Sequence, residues 1–346
     1  MEWKFDSTGF KFIVKFIGQL VLLYFLTAFF SSFIFSNIYE NREYVSKNRR
    51  ENLAAVISQE ILPDKTKKQR GIVLGFVGDI MLDRGVEDVV LSNGGGDFKF
   101  VFNHAKEELN SVDLLIGNLE GPISSRGKNV GSAYSFRMDT RVVSGLKFAG
   151  FDALSVANNH SGYWGKEAFS DTLSILREAN IIPVGATTSP EIFEVKGLKL
   201  VLLAFSDFPG LGIRADDEVV EKSVSEARGA ADFVVAYFHF GDEYQKEPSL
   251  RQIKLAKIAI DAGARLVVGS HPHVTQGMEK YKEGFIFYSL GNFVFDQYFS
   301  DETMRGWLLK VSVESNGEVS DLELCDVFIN SLFQPVILPC KSVLNF

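Results

Sequence analysis

Three observations in this 346-residue chain predict an α/β fold carried on an N-terminal transmembrane helix. From Gly71 onward, short apolar runs alternate with amphipathic helical periods, the pattern of strands feeding helices in an α/β core. Many of those runs end in Asp, Glu, Asn or His, and sites in open α/β sheets form just beyond the carboxyl ends of strands. Residues 16–39 contain no Asp, Glu, Lys or Arg, which sets that segment apart from the remainder.

Taken in chain order, residues 1–15 are a short tail. As a helix, residues 16–39 would extend about 36 Å at about 1.5 Å per residue, enough to cross a hydrocarbon core of about 30 Å. Phe, Leu and Ile fall on every face of it, unlike the single apolar stripe of a core helix. The run exceeds the roughly 7–15 apolar residues of a signal peptide, and no A-x-A-like cleavage site follows. An uncleaved anchor is therefore expected. Lys4, Lys11 and Lys15 on one flank nearly balance Arg42, Lys47, Arg49 and Arg50 on the other, so positive charge alone does not orient it. A short tail before an anchor favours export of the long C-terminal part, which is expected on the extracytoplasmic side of a single-pass cell-membrane protein. Residues 40–70 are polar and mixed in charge, with Pro63 and a basic run at 65–70. They read as a stalk with a short helix over 51–62.

Residues 71–346 form the main domain. Strands are expected at 72–77, 113–116, 153–156, 198–205, 233–238, 266–268 and 285–289, and helices at 141–149, 166–179, 216–228 and 249–262. Near the C-terminus, apolar segments 307–313 and 319–328 flank Asn316-Gly317, a hairpin signal. Hydrophobic residues make up 46% of the chain, enough for a sizeable core. The net charge is −8, and because residues 1–39 carry +1 and residues 40–70 carry +3, the main domain carries −12. That balance repels phosphate backbones and excludes a nucleic-acid partner. Cys325 and Cys340 are too few for a disulfide framework. One bridge and two buried thiols are both compatible with the sequence.

The chemistry gathers at strand ends. The first strand stops at Asp79, the second at Asn118-Leu119-Glu120 and the third at Asn158-Asn159-His160. Later ones end at His239, followed by Glu243, and at His271-Pro272-His273. Of five histidines, only His104 lies away from such an end. One Asp or Asn after a strand is ordinarily a turn or cap residue. Asn159-His160-Ser161 also spells a glycosylation sequon, a pattern short enough to recur by chance. Five strand ends carrying these residue types argue for a site instead. Carboxylate, imidazole and amide oxygen together suit divalent Zn, Mn or Fe better than Ca or Mg. A carboxylate that bridges two ions about 3.5–4 Å apart would complete a two-metal hydrolytic centre, which activates water near neutral pH. A histidine beside it can protonate a leaving group.

The blocks Gly78-Asp79-Ile80-Met81, Asn118-Leu119-Glu120, Ala157-Asn158-Asn159-His160, His239-Phe240-Gly241-Asp242-Glu243-Tyr244, Gly269-Ser270-His271-Pro272-His273-Val274 and Tyr288-Ser289-Leu290-Gly291-Asn292-Phe293 closely resemble the CapA-type poly-γ-glutamate capsule-synthesis family. That family is related to the calcineurin-like metallophosphoesterases. The resemblance covers residues 72–297 and implies a metallophosphoesterase-like two-sheet sandwich flanked by helices, tethered to the outer face of a bacterial membrane. It further implies two divalent metals. Asp79 and His273 would hold one, Asn159, His239 and His271 the other, with Glu120 bridging and His160 the catalytic general acid. Asn118, Glu243 and Asn292 would bind substrate or support the ligands. Met81 stands where relatives carry a metal-binding His, which would weaken one site, since a thioether is a poor ligand for hard ions. Tyr163 stands where the family often has an Asp partner for the His.

The expected function is accordingly a metal-dependent hydrolase or transferase of an anionic cell-envelope polymer, in poly-γ-glutamate synthesis or export. A second reading, from a different class, is a non-catalytic polymer-binding or scaffold component working with other membrane components of a capsule synthase. A general phosphodiesterase is a third, by scaffold analogy. The −12 charge disfavours broad capture of a polyanion, so binding would be local, at the metals.

Overall fold

The computed structural model describes residues 71–132 and 134–344. The expected tail (1–15), membrane helix (16–39) and stalk (40–70) lie outside the described residues. Among the described residues no helix is long and apolar enough to cross a membrane.

Two mixed sheets face each other. The first is ordered β14 (Pro335–Ile337), β13 (Val319–Ile329), β12 (Arg305–Val313), β1 (Ile72–Ile80), β2 (Leu114–Leu119), β3 (Ala153–Ser155) and β4 (Ile182–Val184). Two short strands, β11 (Asn292–Val294) and β15 (Lys341–Ser342), pair with β1 and β13 respectively. The second is ordered β5 (Glu191–Val195), β6 (Leu198–Ser206), β7 (Phe233–His239), β8 (Leu266–Ser270), β10 (Gly284–Leu290) and β9 (Thr275–Tyr281). Strands β1 to β4 run parallel, as do β6, β7, β8 and β10. Parallel strands covered on both faces are apolar throughout: β7, β8 and β10 are buried along their whole length.

Alternation along each strand divides the core into layers. Leu74 and Phe76 of β1 meet Leu200, Val235, Val268 and Phe287 of the other sheet. On the opposite face of the first sheet, Val77, Leu115 and Leu154 pack against helices. These are α1 (Arg84–Asn93), the single turn α2 (Lys106–Leu109), α3 (Val142–Ala149) and α4 (Gly165–Glu178). The outer face of the second sheet, through Val201, Leu203 and Val267, packs against α5 (Asp217–Arg228) and α6 (Leu250–Ala262). Ser249 and Gln252 form a capping box at the start of α6, satisfying two end donors reciprocally. The result is the expected α/β two-sheet sandwich with helices outside.

All seven expected strands and all four expected helices are present, with ends shifted by up to three residues. The Asn316-Gly317 hairpin joins β12 and β13 as an antiparallel pair. Sequence periodicity did not reveal α1, where Val86 and Val90 are the buried pair, nor the edge strands β5 and β9, which interleave Glu191, Glu194, Glu279 and Lys280 with apolar residues. Charges on edges are how sheets avoid pairing with other chains. Cys325 on β13 and Cys340 form a disulfide, which decides between the two readings of the cysteines.

Candidate metal centre

All ten candidate residues lie at one end of the sandwich or on its rim. β1 carries Asp79, which falls into register with Asn118 of β2 and Asn292 of β11. Gly78 makes that register possible: a Cβ there would lie 1.8 Å from the Gly291 carbonyl oxygen. Glu120 follows β2, Asn158 to His160 follow β3, and His239 ends β7. His271 and His273 follow β8 in the left-handed backbone region, at φ 98° and 59°. That conformation is costly for residues with a Cβ and clusters at functional sites. The His271 amide donates to Asp79 Oδ2 at 3.0 Å, tying the turn to β1.

Two groups of donor atoms meet there. In the first, ligand atoms of Asp79, Glu120 and His273 lie within 4.8 Å of one another, all three residues buried. His273 Nδ1 donates to Asn292 Oδ1 at 2.9 Å, leaving Nε2 as an acceptor 3.6 Å from Glu120 Oε1. Such a partner fixes the tautomer a metal needs. In the second, His239 Nε2 lies 2.9 Å from Asn159 Oδ1 and 3.1 Å from His271 Nδ1. The structure thus brings together the residues that the resemblance groups, with Glu120 beside the first group, and Asn159 and His271 come from different sheets.

The donor set fits a cation. Glu120 Oε1 is buried without a hydrogen-bond partner, and an unsatisfied buried acceptor costs about 1–3 kcal/mol. Burial, then the neighbouring Asp79, holds the Glu120 carboxyl well above its ordinary range. Burial also pushes Asp79 upward, but its hydrogen bond to His273 and the charges of His273 and His239 outweigh it, so Asp79 stays well below the carboxylate range. Burial lowers His239 well below the usual imidazole value, and burial followed by repulsion from His273 takes His271 down to about 3. Neutral imidazoles and an unpaired carboxylate oxygen are what a divalent ion binds.

Asn118 lies buried between the two groups. Its Nδ2 lies 2.8 Å from Asp79 Oδ1, 3.4 Å from Glu120 Oε2 and 3.3 Å from His239 Nδ1. Asn158, not among the candidates, holds it by donating to Asn118 Oδ1 at 3.1 Å and to the Leu119 carbonyl at 2.8 Å. Its place in the Asn-Asn pair was the only sequence signal. Asn292 supports His273 and donates to Gln297 and the Thr303 carbonyl. Glu243 is exposed on the rim of a cavity of about 580 Å³, also lined by Arg84, Tyr134, Phe136, His160 and His273.

His160 lies beside the ligands, its Nε2 3.4 Å from Glu120 Oε1. Its Nδ1 donates to the Tyr134 carbonyl at 3.0 Å, and its ring stacks on Phe136 at 4.3 Å and meets the edge of Tyr163 at 5.0 Å. A backbone carbonyl thus orients this histidine where the family often uses a carboxylate. Burial, then His273, lowers its pKa to about 3, so the nitrogen facing the site is bare near neutral pH. Met81 is buried, and its sulfur accepts from the Asp83 amide at 3.2 Å.

The sequence profile of the bacterial capsule synthesis protein PGA_cap matches residues 73–297. The chain is 34% identical over 285 residues to the capsule biosynthesis protein CapA of Bacillus anthracis, spanning 75% of this chain and 68% of that one. It is 34% identical over 272 residues to the PGA biosynthesis protein CapA of Bacillus subtilis (strain 168), spanning 73% and 70%. Among solved structures, the NAD nucleotidase of Haemophilus influenzae aligns with 78% of this chain and 60% of its own, at 11% identity and a TM-score of 0.43. That likeness is too loose to bear on chemistry.

Proposed function

This chain belongs to the bacterial capsule synthesis protein PGA_cap family, and from that premise we propose that its sandwich houses a two-metal hydrolase-type centre acting on an anionic cell-envelope polymer. The observation that carries the reading is the convergence of two donor groups, one around the unpaired Oε1 of Glu120 and one around Nε2 of His239. Asp79 and His273 would hold one Mn, Zn or Fe ion and Asn159, His239 and His271 the other, with Glu120 shared between them. When bound, such ions polarise a substrate oxygen and make hydroxide available near neutral pH.

The chain's own residues do the remainder. Asn118 and Asn292 orient Asp79 and His273, and side chains held within fractions of an ångström are what positioning requires. His160 is placed to carry the proton for the leaving group at Nε2, the nitrogen turned to the site.

The anchor at residues 16–39 would hold this domain outside the cell. The Cys325–Cys340 bridge supports that placement, because disulfides persist in oxidising compartments. The alternative is a polymer-binding component without turnover. The bare Nε2 of His160 and the missing ligand at Met81 favour it.

Metal content of the purified full chain, read together with hydrolysis of phosphodiester and γ-glutamyl model substrates, separates the two. Metal with turnover supports the centre, metal without turnover selects the binding component, and absence of metal refutes the centre. Protease added to intact cells should cut the stalk at 65–70. Protection on cells with a demonstrably accessible surface would place the domain inside.

A further inference from the structure

Arg84 has no part in the ligand sets, yet it lines the same cavity as His160 and His273. It opens α1 with a left-handed backbone at φ 52°, a conformation that costs a non-glycine residue and persists where its surroundings enforce it. Two contacts do so here. The Asp83 carboxylate accepts from the Arg84 amide at 2.8 Å, and the Asp296 carboxylate accepts from the Gly85 amide at 3.0 Å. The turn aims the guanidinium over the rings of Phe136, at 4.6 Å, and Phe295, at 5.9 Å. Phe136 is also the ring on which His160 stacks, so the cation and the candidate acid share one wall.

Charge and valence both matter. Arg84 is the one permanent cation among the cavity-lining residues described, in a domain of net charge −12. A guanidinium has five N–H donors. Among the described residues only its Nη2 meets an acceptor, Asp296 Oδ1, and the side chain remains 37% exposed. The planar fork on an aromatic platform matches carboxylate and phosphate geometry.

We infer that Arg84 is a specificity residue that binds an oxyanion, a carboxylate or a phosphate, carried by the substrate next to the bond presented to the metal centre. Asp296 holds the fork in place until that oxyanion takes up the free donors. The inference rests on the proposed centre for what the neighbouring bond undergoes, but the anion site itself stands without metal.

The test is calorimetric titration of the full chain in detergent with inorganic phosphate and, separately, glutarate. Each is run on chelator-treated and on metal-loaded protein of matched metal content. Arg84→Gln should weaken one or both probes by about 10-fold or more in either state, the loss expected of a charge-assisted hydrogen bond. Metal content should not change. Asp296→Asn, which keeps an oxygen to accept from the guanidinium and removes the negative charge that competes with the incoming oxyanion, should tighten binding. Whichever probe shows the dependence identifies the oxyanion. Equal binding of both probes by wild type and Arg84→Gln, or weaker binding by Asp296→Asn, overturns the assignment even where metal is held. Absence of metal with Arg84-dependent binding sinks the centre and leaves the anion site standing.

Discussion

Replacing Glu120 by Gln should move the metal-free and metal-loaded proteins in opposite directions. Oε1 of Glu120 faces Nε2 of His160 at 3.4 Å and Nε2 of His273 at 3.6 Å. Because both histidines donate through Nδ1, to Tyr134 and Asn292, Oε1 faces two bare imidazole nitrogens, and the carboxyl can meet them only while it holds a proton. An amide nitrogen at this point supplies the donor. Relief of one unsatisfied buried acceptor contributes about 1–3 kcal/mol. At about 2–4 °C per kcal/mol for a domain of this size, metal-free Glu120→Gln should melt roughly 2–12 °C above wild type near neutral pH. The gain depends on pH. Burial, then Asp79, holds the folded-state carboxyl above its unfolded value, so the folded protein keeps a proton that the unfolded chain releases. Metal-free wild type therefore loses stability as pH rises from the unfolded value towards the folded one, and the glutamine variant does not. The gap opens across that window and closes in acid. With metal the order reverses. A ligand present at a hundredfold over its Kd stabilises by about 2.7 kcal/mol, and the variant, lacking the shared charge, should gain none of it. Scanning calorimetry at about pH 4 and about pH 8, with metal and with chelator, reads all four corners. A glutamine variant that binds and is stabilised by metal as wild type is, or that melts lower without metal, refutes the reasoning.

Further outcomes follow from neighbouring contacts. His160→Ala should lower turnover by roughly 10²–10⁴-fold with metal content unchanged, whereas Tyr163→Asp should raise turnover or leave it unchanged. A parallel loss of metal in His160→Ala would make it a ligand. Asn292→Ala removes the 2.9 Å partner of His273 Nδ1 and should weaken metal affinity about 10–100-fold, measured by competition with a chelating dye. Unchanged affinity would show that the tautomer is set elsewhere. The Cys325–Cys340 bridge closes a loop of 15 residues, so reduction should cost about 3 kcal/mol. That corresponds to a melting point roughly 6–12 °C lower. An identical melt in reductant would show that the bridge does not form.

Much of this architecture was legible in the chain because its determinants are local. Buried parallel strands read as unbroken apolar runs, and α6 reads as an amphipathic period over residues 249–262. The edge strands β5 and β9 were not legible, since their charges are tolerated only because one side of each faces no further strand. Helix α1 escaped because two buried valines make too narrow a stripe. The candidate residues stood out for a related reason: a polar side chain in the last positions of a buried strand or directly after it needs either solvent or a partner, and Asp79 near the end of β1, His239 at the end of β7 and His271 just after β8 are so placed.

Residue types and their strand-end positions are therefore properties of the sequence, as is the family to which the chain belongs. Which atoms meet belongs to the tertiary structure. Asn159 and His239 are 80 residues apart and lie at the ends of strands in different sheets, and only the packing of one sheet on the other brings Oδ1 to 2.9 Å from Nε2. The same packing sets Asn118 Nδ2 within 3.4 Å of Asp79, Glu120 and His239, directs the Met81 sulfur to a backbone amide and sets Arg84 on the wall that His160 occupies. The physical reason is range. Strand propensity and burial pattern act over a few residues, whereas a ligand set needs side chains from several strands to converge within a few ångströms, which is specified only when the whole core packs.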